Sequence, residues 1–150
     1  MALVATVRNF LYKNVVVEVA YLYYTKVLGM NFGERVRISR GARLDKTNPR
    51  GVHIDDYTII TSGAIILSHD FVHREWKNTY VGKNCFVGYN AIVMPGITIG
   101  GGCIIGANSV VSKDIPAHSV AVGIPARVVE SDIVTGSWGV RLDRGKDAPA

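Results

Sequence analysis

The chain has 150 residues, 48% of them hydrophobic and 19% charged, which is enough for one buried core and too apolar for a disordered segment. Seventeen Lys and Arg against 12 Asp and Glu give a net charge of +5, a balance that suits a nucleic acid, an acidic membrane surface or a phosphate-bearing small molecule. No basic run interleaved with aromatics and no nucleic-acid motif accompanies that charge, so nucleic acid is set aside.

Residues 1–31 form a first segment, crowded with apolar and aromatic side chains. The spacing of Val4, Val7, Leu11 and Val15 predicts a helix, against which Asn14 and the β-branched run Val15–Val17 weigh. Arg8, Lys13, Glu18 and Lys26 interrupt it too often for a transmembrane span of about 20 apolar residues. Two readings follow: a helix packed on the base of the next domain, or a peripheral membrane-surface element. No secretory signal with a cleavage site opens the chain, and the expected setting is cytoplasmic, with membrane association tied to the second reading.

From Phe32 the pattern changes to a six-residue period. Phe32, Ile38 and Leu44 lead three hexapeptides, Ile54, Ile60 and Ile66 three more, and Val81, Val87, Val93, Ile99, Ile105 and Val111 six in unbroken succession. A compact or aliphatic residue follows each leader of the last run at four places, as at Cys85, Ala91, Cys103 and Ser109. Neither helical spacing nor strand alternation gives a strict six; short strands joined by turns do, three to a coil, with coils about 4.8 Å apart. The fold predicted for residues 32–130 is an all-β, parallel β-helix of about four coils. Cys85 and Cys103, 18 residues apart, then lie side by side on neighbouring coils; a disulfide is geometrically open to them, and reduced packing thiols are the simpler expectation.

Two interruptions break the phase. Lys46–Gly51, with its Asn, Pro and Gly, reads as a turn or loop. The second, Ser68–Asn78, holds two of the four histidines and one of the two tryptophans, and reads as a loop extruded from a rigid coil, where chemistry tends to sit. Residues 131–150 lack the repeat and read as a C-terminal cap and tail.

Ile65-Ile66-Leu67-Ser68-His69-Asp70, the loop, and the restart Tyr80-Val81-Gly82-Lys83-Asn84 resemble the hexapeptide-repeat acetyltransferases of the maltose/galactoside and polysaccharide O-acetyltransferase group. So do Val93-Met94-Pro95-Gly96, Ile105-Gly106-Ala107-Asn108-Ser109 and Val122-Gly123-Ile124-Pro125-Ala126-Arg127. The resemblance implies a left-handed coil, a homotrimer with sites between subunits, acetyl-CoA as co-substrate without a metal, and a sugar or glycan acceptor. It implies that His69 is the general base, a role suited to a neutral imidazole, with Asp70 and Asp45 as candidates to hold its tautomer. Lys113 and Arg127 match positions that meet CoA phosphates, and Ala107 and Ser112 positions that meet pantetheine. Phe86 stands where a Trp is frequent, and Tyr89 also departs from the maltose/galactoside pattern at the cofactor side.

The function expected is O-acetylation of a sugar hydroxyl in polysaccharide or glycan synthesis, with N-acetylation of an amino sugar or nucleotide sugar as the alternative. A different class shares the fold: γ-class carbonic anhydrases bind zinc through three histidines, two of them on a Gly-His-Asn-Ala-x-x-His element. Here the corresponding stretch is Gly88-Tyr89-Asn90-Ala91-Ile92-Val93-Met94, and neither Tyr nor Met replaces an imidazole ligand there. A non-catalytic β-helix scaffold is a third reading, against which His69, Lys113 and Arg127 stand.

Overall fold

A computed structural model describes residues 15–143. After a helical run, α over Val17–Leu22 (α1) and wound as a wider π-helix over Tyr23–Val27, the chain makes short strands in rounds of three. The rounds are β1 (Asn31–Phe32), β2 (Arg37–Ile38) and β3 (Arg43–Leu44), then β4 (Val52–Ile54), β5 (Ile59–Ile60) and β6 (Ile65–Ile66). A small hairpin, β7 (His69–Asp70) with β8 (Glu75–Trp76), intervenes. The rounds resume with β9 (Thr79–Val81), β10 (Phe86–Val87) and β11 (Ile92–Val93), and with β12 (Thr98–Ile99), β13 (Ile104–Ile105) and β14 (Val110–Val111). An antiparallel pair, β15 (Val120–Gly123) and β16 (Ala126–Glu130), closes the stack.

The chain visits three sheets in rotation: β1-β4-β9-β12, then β2-β5-β10-β13-β15-β16, then β3-β6-β11-β14. Every pairing within them is parallel except the terminal β15–β16 pair. Regular winding sets Val81 beside Ile99 and Val93 beside Val111, a step of 18 residues. Across the first interruption the step becomes 22, Leu44 to Ile66, and across the second 27, Ile66 to Val93. Both insertions therefore leave the ladder in register and emerge at the same corner, between the third sheet and the first.

The leading aliphatics form the core: Ile54, Ile60, Ile66, Val81, Val87, Val93, Ile99, Ile105 and Val111 are at most 1% exposed. Burying each stabilises the stack by about 1.5–3 kcal/mol. Small residues fill the inward corner positions, and where coils touch most closely only glycine fits: a Cβ on Gly88 would lie 2.6 Å from the Ile105 carbonyl oxygen. Cys85 and Cys103 are free, buried thiols, the Cys103 N–H donating to Cys85 Sγ at 3.4 Å.

Tyr24, Leu28, Phe32 and Ile38 seat the helical segment against the core at its first round, with Tyr21 and Tyr24 rings 6.0 and 5.9 Å from Phe32. The helix predicted through Val4, Val7 and Leu11 lies outside the described residues. The C-terminal segment, expected as a cap, returns along the corner between the first and second sheets. Ile133 N–H donates to the His118 carbonyl, Thr135 Oγ1 to that of Asn84, and Trp138 Nε1 to that of Arg35 at 3.0 Å. Trp138 thus packs on its own chain, with the Arg37 guanidinium 3.4 Å above its ring.

Candidate active site

Both insertions leave the coil at one corner, and their roots are bonded to each other. Asn48, buried in the first, donates from Nδ2 to the Ser68 carbonyl at 2.8 Å and to the Lys77 carbonyl at 3.1 Å, so it grips both ends of the second loop. Ser68 answers by donating its hydroxyl to the Asn48 carbonyl at 2.6 Å. Thr79, where the second loop rejoins the coil, donates Oγ1 to the Leu67 carbonyl at 2.6 Å. Buried backbone carbonyls at both loop roots are satisfied this way, which fixes the exit angle of the chain at His69.

At the centre is Asp45, its side chain 2% exposed. Oδ1 accepts from the backbone N–H of Thr47 at 2.9 Å and of Asn48 at 3.4 Å. Oδ2 accepts from the N–H of Ser68 at 2.9 Å, from that of His69 at 3.0 Å and from the His69 ring at Nδ1. Burial alone pushes this carboxyl up, but the donors of Ser68, the His69 ring, Thr47 and Asn48 together outweigh it, and the group sits below the usual carboxylate range. An ionised Asp45 fixes the proton of the imidazole on Nδ1 and leaves Nε2 with its lone pair free. That Nε2 atom is buried and has no hydrogen-bond partner. Buried polar atoms are rarely left so, and the His69 residue that carries it lines a cavity of about 460 Å³ together with Thr47, Asp70, Phe71, Arg74, Glu75 and Trp76. Phe71 stands edge-on to the imidazole, ring centres 4.6 Å apart.

Asp70, the other candidate for orienting His69, lines the same cavity, but its carboxylate is bonded to other partners. Its Oδ1 accepts from the N–H of Val72 at 3.0 Å and of His73 at 3.1 Å, an Asx turn that starts the loop. Oδ2 takes His73 Nδ1 at 2.7 Å and Lys77 Nζ at 3.4 Å. The His73 hydrogen bond holds the Asp70 carboxyl well below its usual range.

The remaining predicted residues lie on other parts of the coil. Ser112 and Lys113 follow β14, exposed at the same corner as His69 but two rounds further along. Tyr89 and Ala107 stack at the corner between the second and third sheets, where Asn108 N–H donates to the Tyr89 carbonyl at 2.8 Å. Phe86 is half-buried on β10, with Gly139 lying against it. Arg127 is exposed on β16, Nη1 donating to its neighbour's carbonyl, that of Ala126, at 3.1 Å. Residue-by-residue reading passes over Thr47, Asn48, Phe71 and Trp76. A signal for the first two existed, since counting the repeat makes Leu44 and Ile66 stacked equivalents and so sets the two insertions on top of each other. Among the described residues, no three His, Cys, Asp or Glu side chains are grouped to hold a metal ion.

Comparison with known proteins adds names to this geometry. Residues 79–113 match the hexapeptide repeat of succinyl-transferase. Galactoside O-acetyltransferase of Escherichia coli (strain K12) is 33% identical over 92 residues, which cover 51% of this chain and 45% of the relative. Protein CapG of Staphylococcus aureus is 37% identical over 57% of this chain and 55% of its own. The chain thus spans about half the length of the curated relatives it matches. Among solved structures, a maltose O-acetyltransferase from Clostridium difficile 630 superposes with a TM-score of 0.52 at 28% identity, covering 71% of each chain. A galactoside acetyltransferase in complex with coenzyme A does so with a TM-score of 0.61 at 22% identity, over 79% of this chain and 72% of the other. In sequence and in fold, this chain is similar to the hexapeptide-repeat galactoside and maltose O-acetyltransferases.

Proposed function

We propose that the chain is an acetyl-CoA-dependent O-acetyltransferase that acylates a sugar hydroxyl in polysaccharide or glycan synthesis, with His69 as its general base. The observation that carries this reading is the pairing on one imidazole, that of the cavity-lining His69, of an Nδ1 held by the buried, ionised Asp45 and an Nε2 without a hydrogen-bond partner. Such a nitrogen is set to take a proton from a hydroxyl.

Acetyl-CoA, when bound, supplies an acyl thioester with an electrophilic carbonyl. His69 Nε2 accepts the proton of the acceptor hydroxyl as its oxygen attacks, Asp45 stabilises the imidazolium through Nδ1, and the proton held at Nε2 is then available to the departing sulfur. Direct transfer fits better than an acyl-enzyme: both thiols are buried, and the Ser68 hydroxyl is buried and bonded to Asn48. Lys113 and Arg127, exposed and without ion pairs among the described residues, suit the CoA phosphates.

The reading includes a left-handed β-helix of about four coils and a homotrimer. Tyr89 and Ala107 lie on a different corner from His69, which supports a site shared between copies, while Ser112 and Lys113 share the His69 corner. The test is release of free thiol from acetyl-CoA against a panel of sugars, amino sugars and nucleotide sugars. Release driven by hydroxyl acceptors is expected; release by amino sugars alone would convert the reading to N-acetylation. No release with any acceptor would remove it.

A further inference from the structure

The charge of this chain is segregated along the coil axis. Residues 31–50, the first round and its loop, hold six Arg and Lys against two acids, whereas residues 51–143 hold six against eight. One of those two acids, Asp45, is buried under His69, so the first round shows a single exposed carboxylate, Glu34. The six cations circle the base: Arg35 at the first corner, Arg37 on the second sheet, Arg40 at the next corner, Arg43 on the third sheet, and Lys46 and Arg50 at the last corner. All six are exposed and, among the described residues, none is in an ion pair.

Inside this ring lies the helical segment. Its inner side chains, Ala20, Tyr24 and Leu28 among them, pack toward the first round, while Val15, Val16, Val19, Leu22, Tyr23 and Val27 are 40–71% exposed. Their spacing of three and four puts them along one side of the helix. Cations on an end strand do guard a sheet edge against pairing with another sheet, but edge protection has no use for an apolar helix beside them. A nucleic acid would match the cations and leave the apolar face uncovered. An apolar helix face framed by cations matches the interface of an anionic bilayer, where the apolar side chains enter the headgroup boundary and each nearby cation adds attraction to acidic lipids.

We propose that the base of the coil, the exposed face of Val15–Val27 with the cations of residues 35–50, is a peripheral docking surface for anionic membranes. No helix among the described residues is long and apolar enough to cross a bilayer, so the contact is one of lying on the surface. It leaves the His69 corner beside the membrane plane and open to acceptors there.

Vesicle co-sedimentation of the full chain tests this, with phosphatidylcholine alone and with added phosphatidylglycerol. Binding is expected to the anionic vesicles only and to weaken as salt rises. The double variant Arg40→Glu/Arg43→Glu should lower partitioning by at least about tenfold, and Val19→Ser/Val27→Ser should lower it as well. Lys83→Glu, on a later round, should bind like wild type. Equal binding to neutral vesicles, or equal loss in Lys83→Glu, overturns the proposal. So does a Val19→Ser/Val27→Ser protein that keeps full vesicle binding, since another segment then covers the face. The same holds if those serines instead change the particle mass in solution, which marks the face as a contact between copies.

Discussion

The two histidines of the second loop each pair with a carboxylate, and the pairs teach opposite things. In His73–Asp70 the partners are three residues apart, lie on the exposed turn and bond at 2.7 Å, with the His73 side chain 67% exposed. In His69–Asp45 they are 24 residues apart and the carboxylate is nearly sealed from water. Water screens the first pair and competes for its hydrogen bonds, so it contributes little beyond starting the loop. The second works in a low-dielectric setting where the same bond fixes a tautomer, and its cost of burial is met by four backbone N–H donors. Sequence adjacency would have favoured Asp70 as the residue that orients His69; the coil geometry selects Asp45.

Substituting each histidine should separate the pairs most widely. His69→Ala is expected to lose turnover in thiol release by roughly a hundredfold or more while CoA binding persists, whereas His73→Ala should remain within about threefold of wild type. Comparable losses in both would mean that the loop as a whole, not the buried pair, carries the chemistry.

The carboxylates sharpen the contrast in stability. Asp45→Asn removes the charge that five donors surround and should destabilise the chain by about 3 kcal/mol, read from chemical denaturation, and reduce turnover by tenfold or more. Asp70→Asn should leave the denaturation midpoint essentially unchanged.

Acid should act in the same direction. Because the Asp45 carboxyl is held below its usual value in the folded chain, its contribution is fully present above the unfolded value of about 4 and is lost as pH falls through the lower, folded value. Wild type should therefore lose stability on acidification below about pH 4 by more than Asp45→Asn does, whose midpoint is already lowered and less dependent on pH there.

The smallest effects are expected far from the loop. Lys113→Ala and Arg127→Ala should raise the KM for acetyl-CoA several-fold with less change in kcat, because a phosphate contact kept in ground and transition states is uniform binding. With acetyl-pantetheine, which lacks the nucleotide phosphates, wild type and variants should converge. An equal penalty on both donors would place Lys113 at the acceptor or in the structure.

The same contrast explains what could be read from the chain. A coil is legible because its constraint repeats: each leader from Val81 to Val111 meets the same interior, so the period survives in the sequence. Insertions are legible as loss of phase. What the insertions do is harder to read, because the bonds among Asp45, Asn48, Ser68 and His69 join residues 20 to 24 apart and leave no periodic trace. Recovering them requires converting the phase into stacked positions first. Trp138 is a stronger case. Its partners, the Arg35 carbonyl and the Arg37 guanidinium, precede it by about a hundred residues, and no local pattern in residues 131–143 announces them.

The central claim, that Asp45 leaves His69 with a bare acceptor nitrogen at Nε2, is most directly tested by the ¹⁵N chemical shifts and one-bond proton couplings of the His69 ring in its neutral form. The account predicts a protonated Nδ1 and an unprotonated Nε2 in wild type, with that preference lost in Asp45→Asn. A proton found on Nε2 of the wild-type ring would contradict it, since that nitrogen has then no lone pair with which to receive the acceptor's proton.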